Sequence, residues 1–190
     1  METQKNQGKP KSFWNKETLH WIIKLCIPCV LIILINIFFI KIVWVSGSSM
    51  YPTIDDNDIL LINQQCNSIH QGDIVVIKSK EKEISHDYIV KRIIATQGQR
   101  VQIDYINNSV YVDGKIVDEY YLNYEQLDPM NAPDIAEKVE YIVPMNCVFV
   151  MGDNRNVSLD SRNETIGMIA LSDIIGTVTV RIPTGSLFNN

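Results

Sequence analysis

Two hydrophobic regimes meet near residue 45. Residues 1–20 are polar and show no period, which predicts a disordered or interfacial tail. Residues 21–45 are apolar apart from Lys24, Asn36 and Lys41. As one helix this run would be about 37 Å long, enough to span a hydrocarbon core. Lys24 and Lys41 stand near its ends, where long side chains snorkel, and Trp21 and Trp44 bracket it like an interfacial belt. Lys5, Lys9, Lys11 and Lys16 put the N-terminus on the cytoplasmic side. The rival is a cleaved secretory signal, but the apolar core is overlong for that class and no clean small-x-small site follows it. The expected organisation is a cytoplasmic tail (1–20), a transmembrane signal anchor (21–45) and an extracytoplasmic domain (46–190).

Beyond Asp58 the apolar residues come in short runs separated by turn residues, the pattern of strands. Such runs cover 59–62, 72–77 and 88–94. A meander follows over 101–105, 110–112 and 115–117, with Asn107-Asn108 and Asp113-Gly114 as hairpin turns. Residues 118–140 are polar and acidic, with Pro129 and Pro133, and read as a loop or lid. β-Branched runs return at 141–151 and 166–182. Helix signals are scarce after residue 45, so the fold class is mostly β: a single N-terminal helix, then an antiparallel β domain.

Charge and cysteine content narrow the partners. Residues 42–190 carry 11 Lys+Arg against 20 Asp+Glu, and this net charge of −9 excludes a nucleic-acid partner, which needs a basic face. Cys26 and Cys29 lie inside the apolar run and read as small filling rather than as a redox or metal pair. Cys66 and Cys147 can pair if the domain is extracytoplasmic. No nucleotide loop, dinucleotide fingerprint or H-E-x-x-H run is present, so no cofactor or metal is expected.

Three stretches can carry chemistry. The first is Ser46-Gly47-Ser48-Ser49-Met50-Tyr51-Pro52-Thr53-Ile54, at the mouth of the apolar run. A serine there can be a nucleophile or only the polar stop after a helix. Met50, Tyr51 and Ile54 could dip into the membrane interface. The second is Tyr88-Ile89-Val90-Lys91-Arg92-Ile93-Ile94. Lys91 shares a strand face with Ile89 and Ile93, and both faces are apolar, as in a strand covered on both sides. A desolvated lysine sheds its proton, whereas arginine does not, and a neutral lysine can act as general base toward a serine. Alternatively Lys91 snorkels to solvent or pairs with an acid. The third is the polar run 151–162, whose two acids and two arginines can form a network holding a site rigid, or merely a cluster of turns. Ser79-x-x-Lys82 matches a catalytic template without its companion motifs, and His70 and His86 are the histidines a triad would need.

Together these stretches resemble the bacterial type I signal peptidases, membrane serine proteases that remove signal peptides. The resemblance rests on Gly47-x-Ser49-Met50-x-Pro52-Thr53, on Val90-Lys91-Arg92-Ile93, on Gly152-Asp153-Asn154-Arg155 with Ser158-x-Asp160-Ser161-Arg162, and on Gly72-Asp73-Ile74-Val75. It spans residues 21–180 and is closest to the short Gram-positive branch. It implies Ser49 as nucleophile and Lys91 as general base, with Ser158 bonding the lysine amine and Asp160 pairing with Arg162. It further implies an extended substrate beside the lysine strand, pockets walled by Met50, Ile89 and Val90, a small cap over 99–140, and signal peptides and the lipid bilayer as partners. Departures are Ala95-Thr96-Gln97-Gly98-Gln99 where the family has G-L-P-G-D, Asn156 where an acid is common, and Gly47 where some members place an oxyanion serine. An inactive binding relative and a membrane-anchored adhesive β domain remain as other classes.

Overall fold

The computed structural model describes residues 15–65, 68–79, 88–122, 129–131 and 138–185, without the side chains of 34–38. Cys66, His86, Lys82 and much of the expected loop at 118–140 lie outside these residues. The chain divides into two compact units, Met1–Phe38 and Phe39–Asn190.

Helix α1 (Lys16–Phe39), with Pro28 inside it, supplies nearly all the described residues of the first unit. Among the described residues no helix is long and apolar enough to cross a membrane. The expected helix over 21–45 is corrected at its C-terminal end. Ile40 opens strand β1 (Ile40–Trp44), whose alternating Ile-Lys-Ile-Val-Trp exposes Ile40, Ile42 and Trp44 on one face and turns Lys41 and Val43 to the other. An antiparallel partner satisfies this backbone, so β-branched residues that read as a continuation of the apolar helix form a sheet ladder instead.

The second unit holds two antiparallel sheets. The larger contains β1, β2 (Ile59–Asn63), β3 (Ile74–Lys78), β4 (Tyr88–Thr96), β9 (Cys147–Met151), β10 (Ile169–Ala170) and β11 (Ile174–Ile182), in the order β1-β2-β11-β3-β4-β9-β10. The smaller is β7-β6-β5-β8, built from β5 (Arg100–Asp104), β6 (Ser109–Val112), β7 (Lys115–Ile116) and β8 (Lys138–Ile142). Its four strands fall between Arg100 and Ile142 in the chain. The expected run 141–151 is split between the two sheets by a turn at Asn146, which adopts φ 59°. Asp113 and Gly114, at φ 51° and 75°, form the tight turn between β6 and β7.

Alternation along β3 and β4 sends side chains to two cores. Val75, Ile77 and Ile93 pack with Val148, Val150 and Ile174 on one face. Val76 packs with Met50, Ile54, Leu60 and Ile62 on the other, with Val90 against them. A third core, around Val101, Ile103, Val110, Phe149 and Met151, joins the smaller sheet to β4 and β9. Strand β4 is therefore buried from Lys91 to Ala95, and it carries the candidate lysine.

Strand β11 lies between β2 and β3, and at Gly176 an added Cβ would lie 2.6 Å from the Asn63 carbonyl oxygen of β2. Backbone on the far side cannot yield as a flexible side chain can. Gly176→Ala is expected to destabilise the domain by about 1–3 kcal/mol, read as a lowered thermal midpoint of the purified chain.

Candidate active site

The turn 46–58 is tied to the sheet at both ends. Val45 donates its N–H to the Asp58 carbonyl, and Asn57 donates back to Val45. Gly47 adopts φ 105° and donates to Asp56 Oδ1 at 2.8 Å, a conformation that favours glycine. Buried Asp58 accepts from Asp55 N and from Arg181 Nε, and Arg181 also reaches the Thr53 carbonyl. Met50 and Ile54 point into the core beneath, which corrects the expectation that they dip into a membrane interface. Their burial pins the residues on either side of the turn and leaves Ser49 half-exposed above.

Lys91 Nζ lies 2.7 Å from Ser49 Oγ. The lysine is 3% exposed, and burial lowers its pKa from 10.5 to about 8. Asp160 and Asp153 act against this shift and Arg162 adds to it. Between pH 8 and 10.5 the folded chain has released a proton that the unfolded chain retains, so stability rises with pH across that window. With the amine neutral, the serine hydroxyl donates to it, the arrangement a general base requires.

The loop after β9 holds both groups. Asn154 donates its N–H to the Ser49 carbonyl at 3.0 Å and its side-chain amide to the Ser48 carbonyl at 3.1 Å. Asp160 accepts from Gly152 N at 2.9 Å and from Arg162 Nε and Nη2 at 2.8 and 2.9 Å. These bonds hold its carboxyl below the usual range despite burial. Ser158 Oγ is buried beside Asp160, whose carboxyl it helps to hold low, and no bond from it to the Lys91 amine is seen among the described residues. The network is also wider than the loop. Asp153 pairs with Arg92 of β4 at 2.7 and 2.9 Å, and Arg155 pairs with Glu119 beyond β7. Sequence reasoning missed Glu119, Asp58 and Arg181, since their partners lie 36 and 123 residues away. His70 bonds only to Asp73 among its described contacts and stands apart from the Ser49–Lys91 pair.

A cleft of about 360 Å³ opens over Ser49 and Lys91, lined also by Val43, Met50, Ile89 and Val90, and Tyr88 stands at its rim. Strand β4 pairs with β9 only from Arg92 onward, so among the described residues the β4 edge over 88–91 is open on that side. A larger cavity of about 650 Å³ on the small sheet shares no lining residue with the cleft. Among the described residues no cluster of His, Cys, Asp and Glu suits a metal ion.

Residues 18–183 match the family described as signal peptidase, peptidase S26. The chain belongs to that family. It is 36% identical over 184 residues to Signal peptidase I T of Bacillus subtilis, covering 93% of this chain and 92% of the relative. It is 33% identical over 179 residues to Signal peptidase IB of Staphylococcus aureus, covering 87% of this chain and 90% of the relative. A solved signal peptidase I from Enterococcus faecalis aligns with TM-score 0.47 at 23% identity, over 59% of this chain and 97% of that one. The chain is a peptidase of the S26 family, a hydrolase of peptide bonds.

In this family member Gly152 sits where a Cβ would lie 2.2 Å from Ser158 Oγ and 2.4 Å from the Ser49 carbonyl oxygen. Gly152→Ala is expected to displace the serine turn and lower turnover by roughly 10²-fold, as for a displacement of about 1 Å at the reacting centre. Steady-state kinetics on protein matched for folded fraction checks this.

Proposed function

We propose that the chain is a membrane-bound signal peptidase that removes N-terminal signal peptides from exported preproteins by a Ser49–Lys91 dyad. The observation that carries the reading is the 2.7 Å contact between Ser49 Oγ and a buried lysine whose pKa falls to about 8. Lys91 takes the hydroxyl proton as Ser49 attacks the scissile carbonyl, and returns it to the leaving amine. Water repeats the cycle on the acyl-enzyme. Asp160 and Arg162 hold the loop that carries Gly152 against the serine turn.

The open β4 edge beside Ser49 supports an extended substrate that adds a short strand there, with main-chain bonds to β4 and side chains over Met50, Ile89 and Val90. The small volume of the cleft favours small side chains next to the scissile bond.

Activity is expected to rise with pH through about 8, with roughly one-tenth of Lys91 neutral at pH 7. Ser49→Ala and Lys91→Arg should each abolish preprotein cleavage, the latter because guanidinium stays protonated. Near-normal turnover in Lys91→Arg would remove the general-base role.

The membrane placement rests on the sequence from Trp21 to Phe39, nineteen residues with Lys24 as their one charge, about 28 Å as a helix. An exposed apolar face supports it: Ile40, Ile42 and Trp44 on β1, with Val180 and Ile182 on β11. On this reading the catalytic unit works at the outer face of the cytoplasmic membrane. Protease added to intact spheroplasts is expected to digest the C-terminal unit and spare an N-terminal tag, and digestion of the tag would reverse the topology.

A further inference from the structure

The segment that follows β7 touches the loop after β9 and strand β4 through one buried and one half-buried group that the dyad mechanism does not use. Glu119 and Arg155 form an ion pair whose two side chains are each 4% exposed. Arg155 also donates from Nε to the Gly152 carbonyl at 3.2 Å, and its own carbonyl accepts from Arg162 Nη2 at 2.5 Å. Gly152 packs on the Ser49 carbonyl, and Arg162 holds Asp160. Glu119 therefore sits one residue behind the two contacts that fix the serine turn and the loop.

Two residues on, Tyr121 lies flat against Arg92, with its ring centroid 3.7 Å from the guanidinium carbon. Arg92 directly follows Lys91 on β4 and is held by both oxygens of Asp153 and by the Gly72 carbonyl. A cation on an aromatic face, shielded from water, is held in plane as well as in place. Between these two residues Tyr120 is 85% exposed, so the backbone alternates and sends Glu119 and Tyr121 inward together. The Tyr121 hydroxyl, 3.4 Å from Glu119 Oε1, links the two contacts.

We propose that Glu119 and Tyr121 are positioning residues, through which the small-sheet region aligns Ser49 with Lys91. One contact acts on the serine side, through Arg155 and Gly152. The other acts on the lysine side, through Arg92. The inserted sheet is then part of the catalytic device, though neither residue touches substrate. The proposal rests on the Ser49–Lys91 reading given above.

The test uses the full-length chain in detergent, a preprotein substrate, and the variants Tyr121→Phe, Tyr121→Leu, Glu119→Gln and Ser49→Ala. Thermal midpoint and folded fraction are measured for each. Tyr121→Phe keeps the ring and is expected to retain kcat within about twofold. Tyr121→Leu and Glu119→Gln are expected to lower kcat by about tenfold or more with KM within about twofold, since alignment and not binding is lost. Unchanged kcat in both would overturn the proposal. So would a fall in kcat that merely follows the folded fraction, or equal losses in Tyr121→Phe and Tyr121→Leu. If Ser49→Ala cleaves as well as the parent chain, the dyad reading itself fails, an outcome distinct from failure of the positioning role.

Discussion

The cost of burying an ammonium group governs this catalytic unit. Lys91 is almost wholly excluded from water, and that exclusion is the main cause that drives its pKa down, with Arg162 adding to it. Two carboxylates work in the opposite direction, Asp160 and Asp153. Both favour the charged amine, the form that cannot act as the proposed base. Each is engaged by an arginine, Asp160 by Arg162 and Asp153 by Arg92. The ion pairs around the dyad hold geometry while offsetting the negative charge that would undo the desolvation.

Buried ion pairs are a poor source of net stability, because desolvation consumes most of what attraction returns, yet removing one partner costs about 3–5 kcal/mol. What they supply here is direction. Arg92 and Arg155 each reach a carboxylate from a different part of the chain, so the loop after β9 is fixed from β4 on one side and from the segment after β7 on the other. Gly152 lies at the centre of that loop, in a space with no room for a Cβ. A rigid backbone there lets a serine on an irregular turn meet a lysine on a strand 42 residues away.

Much of this was legible in the sequence, and the losses have physical causes. Strands β2 to β6 follow from short apolar runs and from turn residues such as Asp113-Gly114. Strand β1 was lost because Ile40, Ile42 and Val43 continue an apolar helix without a break. Hydrophobicity alone does not separate the two, and the deciding partner, β2, lies beyond the serine turn. The motif residues Ser49, Lys91, Asp160 and Arg162 carry recognisable spacing. Glu119, Asp58 and Arg181 do not, since an isolated acid or arginine in a polar stretch reads as solvated until the fold brings its partner to it. Met50 reads as a residue that dips into a membrane interface, but burial beneath the turn claims it.

The open edge of β4 brings these constraints together. An unpaired strand edge invites association with any other strand, and proteins usually blunt it. Here it runs for only four residues, 88–91, because β9 takes up the pairing at Arg92 and the register shifts between Ile93 and Ala95. At its outer end the Lys41 ammonium sits 4.6 Å from the centroid of the Tyr88 ring, joining β1 to β4 across the cleft mouth. At its inner end stands the Ser49–Lys91 pair. The edge is thus long enough to align a short extended peptide by its main chain and too short to template a sheet. The same bounds that limit aggregation place this short free stretch of backbone beside the Ser49 hydroxyl.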